Sequence, residues 1–126
     1  MSFFSFSSKP KNSLPDGWQN LEKMSQLDEI IAASHEKPQL LFKHSIRCGI
    51  SVGAMHGLLG DWDLSADKVD AWMLDLINLR PISNAIAEKT GVPHQSPQAI
   101  LLVNGEVVYS KTHHSIKFDG IKAALN

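Results

Sequence analysis

Short apolar runs alternate with helix-period stretches along this chain, and the last two runs are joined by Asn104-Gly105. Asn-Gly between two runs of strand length is the two-residue type I′ turn, so Gln98–Val103 and Glu106–Ser110 are expected to pair as an antiparallel hairpin. Gln39–Lys43 is another apolar run of strand length. Ala71–Leu79, apolar on both faces, reads as a central strand. Trp18–Leu21 is a shorter candidate for a first strand. Between the runs, Ser25-Gln26-Leu27-Asp28 has the spacing of a helix-start capping box, and Leu27, Ile30 and Ile31 follow on one face until Pro38 forces an exit. Over Gly49–Leu59 the residues Ile50, Ala54 and Leu58 recur every four. Pro81 opens a third helix with Ile82, Ala85 and Ile86 on its buried face and Gly91 at its C-terminal cap. A last helix after Ser115 carries Ile121, Ala124 and Leu125. The order βαβαβαββα predicts an α/β fold, a central mixed sheet of four or five strands with helices on both faces.

With 126 residues and 43% of them apolar, the chain has the size and core of one domain. Residues 18–126 are expected to form it, after a flexible leader over 1–17 rich in Ser, Lys, Asn and Pro. A net charge of −1 argues against a nucleic-acid binder and against a polybasic membrane surface. The longest purely apolar run, Ala99–Val103, falls far short of the ~18 residues of a membrane span. Phe3, Phe4 and Phe6 stand among serines without the basic start or cleavage site of a signal peptide. The expected location is the cytoplasm.

Cysteine usage narrows the chemistry. Cys48 is the one cysteine, which excludes an intrachain disulfide, a dithiol redox cycle and a zinc site built on several cysteines of one chain. The six histidines form no His-Glu-x-x-His pattern, and no metal site is expected. Cys48 follows the strand Gln39–Lys43 after a short loop and precedes a helix. The first-turn amides of a helix have no carbonyl partners and carry partial positive charge, so they favour a thiolate over a thiol, and Arg47 adds to this. A thiolate so placed is a reactive group; otherwise a lone cysteine is a small buried hydrophobe.

Ser51, three residues on, occupies the place where a dithiol oxidoreductase holds its resolving cysteine. Its hydroxyl is placed to donate to the sulfur of Cys48 but forms no disulfide. Pro97 is either a plain strand boundary or a cis proline that turns the backbone of Ser96 towards the thiol, to pair with an extended substrate. His113 and His114, just after the last strand, either approach a site or are simply solvated, with a surface position favoured, and Trp72 and Met73 are read as core.

The segment Phe42-Lys43-His44-Ser45-Ile46-Arg47-Cys48-Gly49-Ile50-Ser51 resembles the active-site stretch of the monothiol bacilliredoxins, the YtxJ type of thioredoxin-like proteins. Two further blocks agree: Arg80–Ala87 running on to Gly91–Gln98, and Asn104-Gly105-Glu106 with Ser110–Ile116. The resemblance implies a thioredoxin-like fold and a thiol–disulfide oxidoreductase that acts on mixed disulfides between proteins and bacillithiol, a low-molecular-weight thiol. Cys48 would attack and carry the adduct. Ser51 would help stabilise the thiolate, and Ser96, Pro97, Lys43 and Arg47 would bind substrate. No cofactor is expected beyond bacillithiol as co-substrate, and no nucleic-acid or membrane partner. Gly49 makes the motif Cys-Gly-Ile-Ser, close to the Cys-Gly-Phe-Ser of monothiol glutaredoxins, so an iron–sulfur carrier is the alternative. A redox-inert interaction module of the same fold is the other.

Overall fold

A computed structural model describes residues 14–45 and 47–125. Its elements are β1 (Trp18–Asn20), α1 (Met24–Ala33), β2 (Gln39–His44), α2 (Gly49–Asp61), β3 (Asp70–Asp75), α3 (Arg80–Thr90), β4 (Gln98–Val103), β5 (Glu106–Thr112) and α4 (Phe118–Ala124). A single 3-10 turn, His113–Ser115, joins β5 to α4. The strands lie in the order β1-β3-β2-β4-β5. β1, β3 and β2 run parallel, and β4 and β5 fold back antiparallel.

Period-two alternation along β2 explains how both faces are filled. Leu40 and Phe42 point to the face covered by α2 and α4, where they meet Leu58, Phe118 and Ile121. Leu41 points to the other face, against Leu27 and Ile30 of α1 and Ile82 and Ile86 of α3. The hairpin forms as expected: Asn104 and Gly105 have φ of 54° and 77°, the left-handed pair that a type I′ turn requires. Gly91 caps α3 at φ 75°, and Pro81 sits in the first turn of that helix.

Two local expectations shift. α1 begins at Met24, and the side-chain oxygen of Gln26 accepts the amides of Glu22 and Lys23, each at 2.8 Å. Ser25 therefore lies inside the first turn and does not cap it. β3 stops at Asp75, short of the expected Leu79. The Asp75 carboxylate accepts the Ile77 amide and the Asn78 side chain, an Asx-type turn that ends the strand. Of the leader expected over 1–17, residues 1–13 lie outside the described residues. Leu14 packs against the core, and the Gly17 carbonyl accepts the Ala71 amide at 2.9 Å.

Candidate active site

Cys48 is the N-cap residue of α2, with extended backbone (φ −111°, ψ 118°). Its amide donates to the Ser45 carbonyl at 3.2 Å, closing a turn, and its own carbonyl accepts the Val52 amide at 3.0 Å as the first bond of the helix. The thiol is free and half-exposed, next to the exposed residues Arg47, Gly49 and Ile50. As the N-cap residue Cys48 stands next to the first-turn amides that lack carbonyl partners, and it is partly open to an incoming disulfide. Ile46, quoted in the motif, lies outside the described residues.

Ser51 takes a different part from the one expected of it. Its side chain is fully buried, and its Oγ accepts the Ser45 amide at 2.9 Å while standing 3.1 Å from Nδ1 of His44. The hydroxyl proton has a partner in that ring nitrogen, in the tautomer whose Nε2 carries the ring hydrogen. The hydrogen bond expected from Ser51 to the sulfur is not among those its hydroxyl makes in the described residues, which go to the Ser45 amide and to Nδ1 of His44. Ser51 instead holds Ser45, which receives the Cys48 amide on its carbonyl and the Arg47 amide, at 3.3 Å, on its hydroxyl.

His44 was absent from the sequence-based candidates. It alternates with Leu40 and Phe42 on the strand and so faces the helix that carries the thiol, a period-two signal open to a reader of the sequence. Its ring stacks on Phe42, with centroids 6.3 Å apart. Burial holds its pKa below the ordinary imidazole range, with Asp75 opposing and His56 adding to the shift.

The Ser96-Pro97 peptide is cis. Gln98 registers opposite Lys43, so Pro97, one residue earlier on the antiparallel strand, comes to the end of β2 from which the Cys48 loop departs. Pro97 is buried, Ser96 is half-buried, and the Pro97 carbonyl accepts the His113 amide at 3.1 Å. Arg47 is exposed next to the thiol.

Lys43 is corrected. The expectation that it touches substrate fails because its side chain is fully buried and directed, like that of Leu41, to the α1–α3 face. Nζ donates to the Ser83 carbonyl at 3.1 Å and meets Nδ1 of His94 at 3.2 Å.

A groove of about 390 Å³ runs along α2 from Gly49 past Gly53 and Gly57, with His113, His114 and Lys117 on the opposite wall. His113 is half-buried and holds a left-handed φ of 53°, and His114 is exposed. The two histidines thus flank an open channel that begins at the residue after the thiol. Among the described residues no three His, Cys, Asp or Glu side chains gather as a metal site, and no helix is long and apolar enough to cross a membrane.

Comparison with solved structures agrees with this geometry. A protein of thioredoxin fold, described as a candidate oxidoreductase, is 31% identical, with a TM-score of 0.74 over 86% of this chain and 94% of that one. Thioredoxin from Malassezia sympodialis (16% identity, TM-score 0.63, 94% and 92% covered) and thioredoxin f from spinach chloroplast (18%, 0.61, 86% and 89%) share the fold. The family model described as monothiol bacilliredoxin BrxC matches residues 19–121, the span that holds the Cys48 loop, the cis-proline loop and the sheet apart from Trp18. With one thiol at a helix N-terminus and a thioredoxin fold around it, this chain belongs to the monothiol bacilliredoxin family of thiol–disulfide redox proteins.

Proposed function

We propose that the protein removes a low-molecular-weight thiol, bacillithiol, from mixed disulfides on other proteins through Cys48. The observation that carries this reading is the half-exposed thiol at the start of α2 with a serine in place of a second cysteine. The Cys48 thiolate attacks the small-thiol sulfur of protein–S–S–R. A bond forms between Cys48 and that sulfur, the old disulfide breaks, and the protein thiolate leaves and takes a proton. A second small thiolate then attacks the adduct, releasing R–S–S–R′ and the Cys48 thiolate, so the protein ends unchanged. Ser96 and Pro97 dock the extended segment around the target cysteine. The groove along α2 receives the small thiol, with His113, His114 and Lys117 offering donors to its polar groups. Such a cycle needs a reducing compartment, which fits the cytoplasm.

The test is intact mass after treatment with bacillithiol disulfide. Wild type is expected to carry one adduct, stable until reductant is added, and Cys48→Ser none. An unmodified wild type would refute the proposal. Visible absorbance on anaerobically purified protein, without adduct formation, would turn the reading to the iron–sulfur carrier.

A further inference from the structure

Lys43 and Gln98 face each other across β2 and β4, fully buried, and both side chains reach the same loop. Gln98 Nε2 donates to the Pro93 carbonyl at 3.0 Å. Lys43 Nζ meets His94 Nδ1 at 3.2 Å, and that nitrogen is also 3.2 Å from the Ser83 hydroxyl of α3. An ammonium has no acceptor, so Lys43 donates and His94 accepts on an unprotonated Nδ1. Burying a lysine without a carboxylate is costly, and among the described residues the ion pairs are Lys37–Asp70, Lys89–Asp28 and Lys122–Asp63, none of them with Lys43. A buried donor so placed is informative about the loop it grips. Burial, with Arg80 adding, lowers the Lys43 pKa to about 8, and burial, Lys43 and Arg80 hold His94 below the ordinary range. At neutral pH the donor is charged and the acceptor neutral.

The segment that this contact holds is Gly91–Pro97, which ends in the cis peptide beside the Cys48 loop. We infer that Lys43 is a positioning residue: through His94 it fixes the loop that presents Ser96, so docking of an extended substrate depends on the Lys43–His94 contact while the reactivity of the thiol itself does not. The inference rests on the exchange reading for its substrate, and it assigns a role to a cluster on the face of the sheet away from α2.

The test uses full-length protein with His94→Leu, which removes the acceptor, and His94→Asn, whose side-chain oxygen replaces Nδ1. His94 is part of a half-buried loop, so both variants spare the core. Two second-order rates are measured at pH 7: alkylation of Cys48 by iodoacetamide, and adduct formation with an extended peptide whose cysteine is in mixed disulfide with cysteamine. His94→Leu is expected to alkylate at the wild-type rate and to react with the peptide about tenfold more slowly, with His94→Asn restoring most of the loss. Equal peptide rates in wild type and His94→Leu, or a parallel fall in both rates, would overturn the inference. A wild type inert towards the peptide counts against the exchange reading instead. Amide hydrogen exchange at Gln95 and Ser96 then decides the positioning role by itself: faster exchange in His94→Leu, reversed in His94→Asn, supports it, and unchanged exchange overturns it.

Discussion

Nδ1 of His44 and Oγ of Ser51 lie 3.1 Å apart, both buried, beneath the loop that presents Cys48. The pair joins the end of β2 to the first turn of α2, and the Ser45 amide, bonded to the same oxygen, ties the intervening loop to it. The serine at the resolving position thus shapes the backbone around the sulfur and makes no bond to the sulfur itself.

Removing that hydroxyl leaves a buried amide without a partner. Ser51→Ala is expected to lose about 1–3 kcal/mol of stability, seen as a lower urea midpoint with unchanged slope. A midpoint equal to wild type would show that the Ser45 amide finds another acceptor.

Ser51→Cys restores a sulfur one turn from Cys48. An adduct on Cys48 is then expected to be expelled as free small thiol, leaving an internal disulfide with two hydrogens fewer than the dithiol by intact mass. An adduct as durable as that on wild type would place residue 51 out of reach of the sulfur.

Two histidines make the fold acid-sensitive. His44 and His94 both have folded pKa values below the unfolded value near 6.5. The unfolded chain therefore binds more protons, and stability, full above about pH 6.5, falls as pH drops through the folded values. Unfolding free energies between pH 7.5 and about 5 test this, and His44→Gln should flatten part of the slope. Lys43 acts at the alkaline end with the same sign. Its folded pKa of about 8 lies below the unfolded value of 10.5, so its contribution rises with pH between the two and vanishes in Lys43→Met.

Gly53 and Gly57 stand inside α2 where an added Cβ meets nothing within 4 Å. Gly53→Ala and Gly57→Ala are each expected to stabilise by about 0.5–1 kcal/mol, through a less entropic unfolded chain and better helix propensity. Gly53→Leu projects into the groove. It should slow adduct formation with bacillithiol disulfide and leave iodoacetamide alkylation at the wild-type rate; equal effects on both would take the small thiol out of the groove.

Gly17 has φ 86°, and a Cβ there would lie 3.2 Å from the Ala66 Cα and from the Val69 carbonyl oxygen. Gly17→Ala is expected to cost more than about 1 kcal/mol by thermal unfolding. No loss would mean that the chain before Trp18 is not anchored to the sheet.

Local chemistry by itself determined what short segments do. Asn104-Gly105 makes its turn because both residues tolerate positive φ, Gly91 ends α3 for the same reason, and Cys48 caps α2 because a strand-length run and a helix-period run meet there. The resemblance carried by the three motif blocks extended this to the family. Asp75 escaped the reading because an apolar run continues past it, and only the carboxylate's bonds to Ile77 and Asn78 stop the strand. The partners of Lys43 and Ser51 escaped it for a deeper reason. Period two assigns each side chain to a face of its strand, but which helix covers that face, and which loop comes within hydrogen-bond reach, depends on strand order and register. The tertiary structure alone put α3 and His94 over Lys43, and His44 rather than the Cys48 sulfur against Ser51.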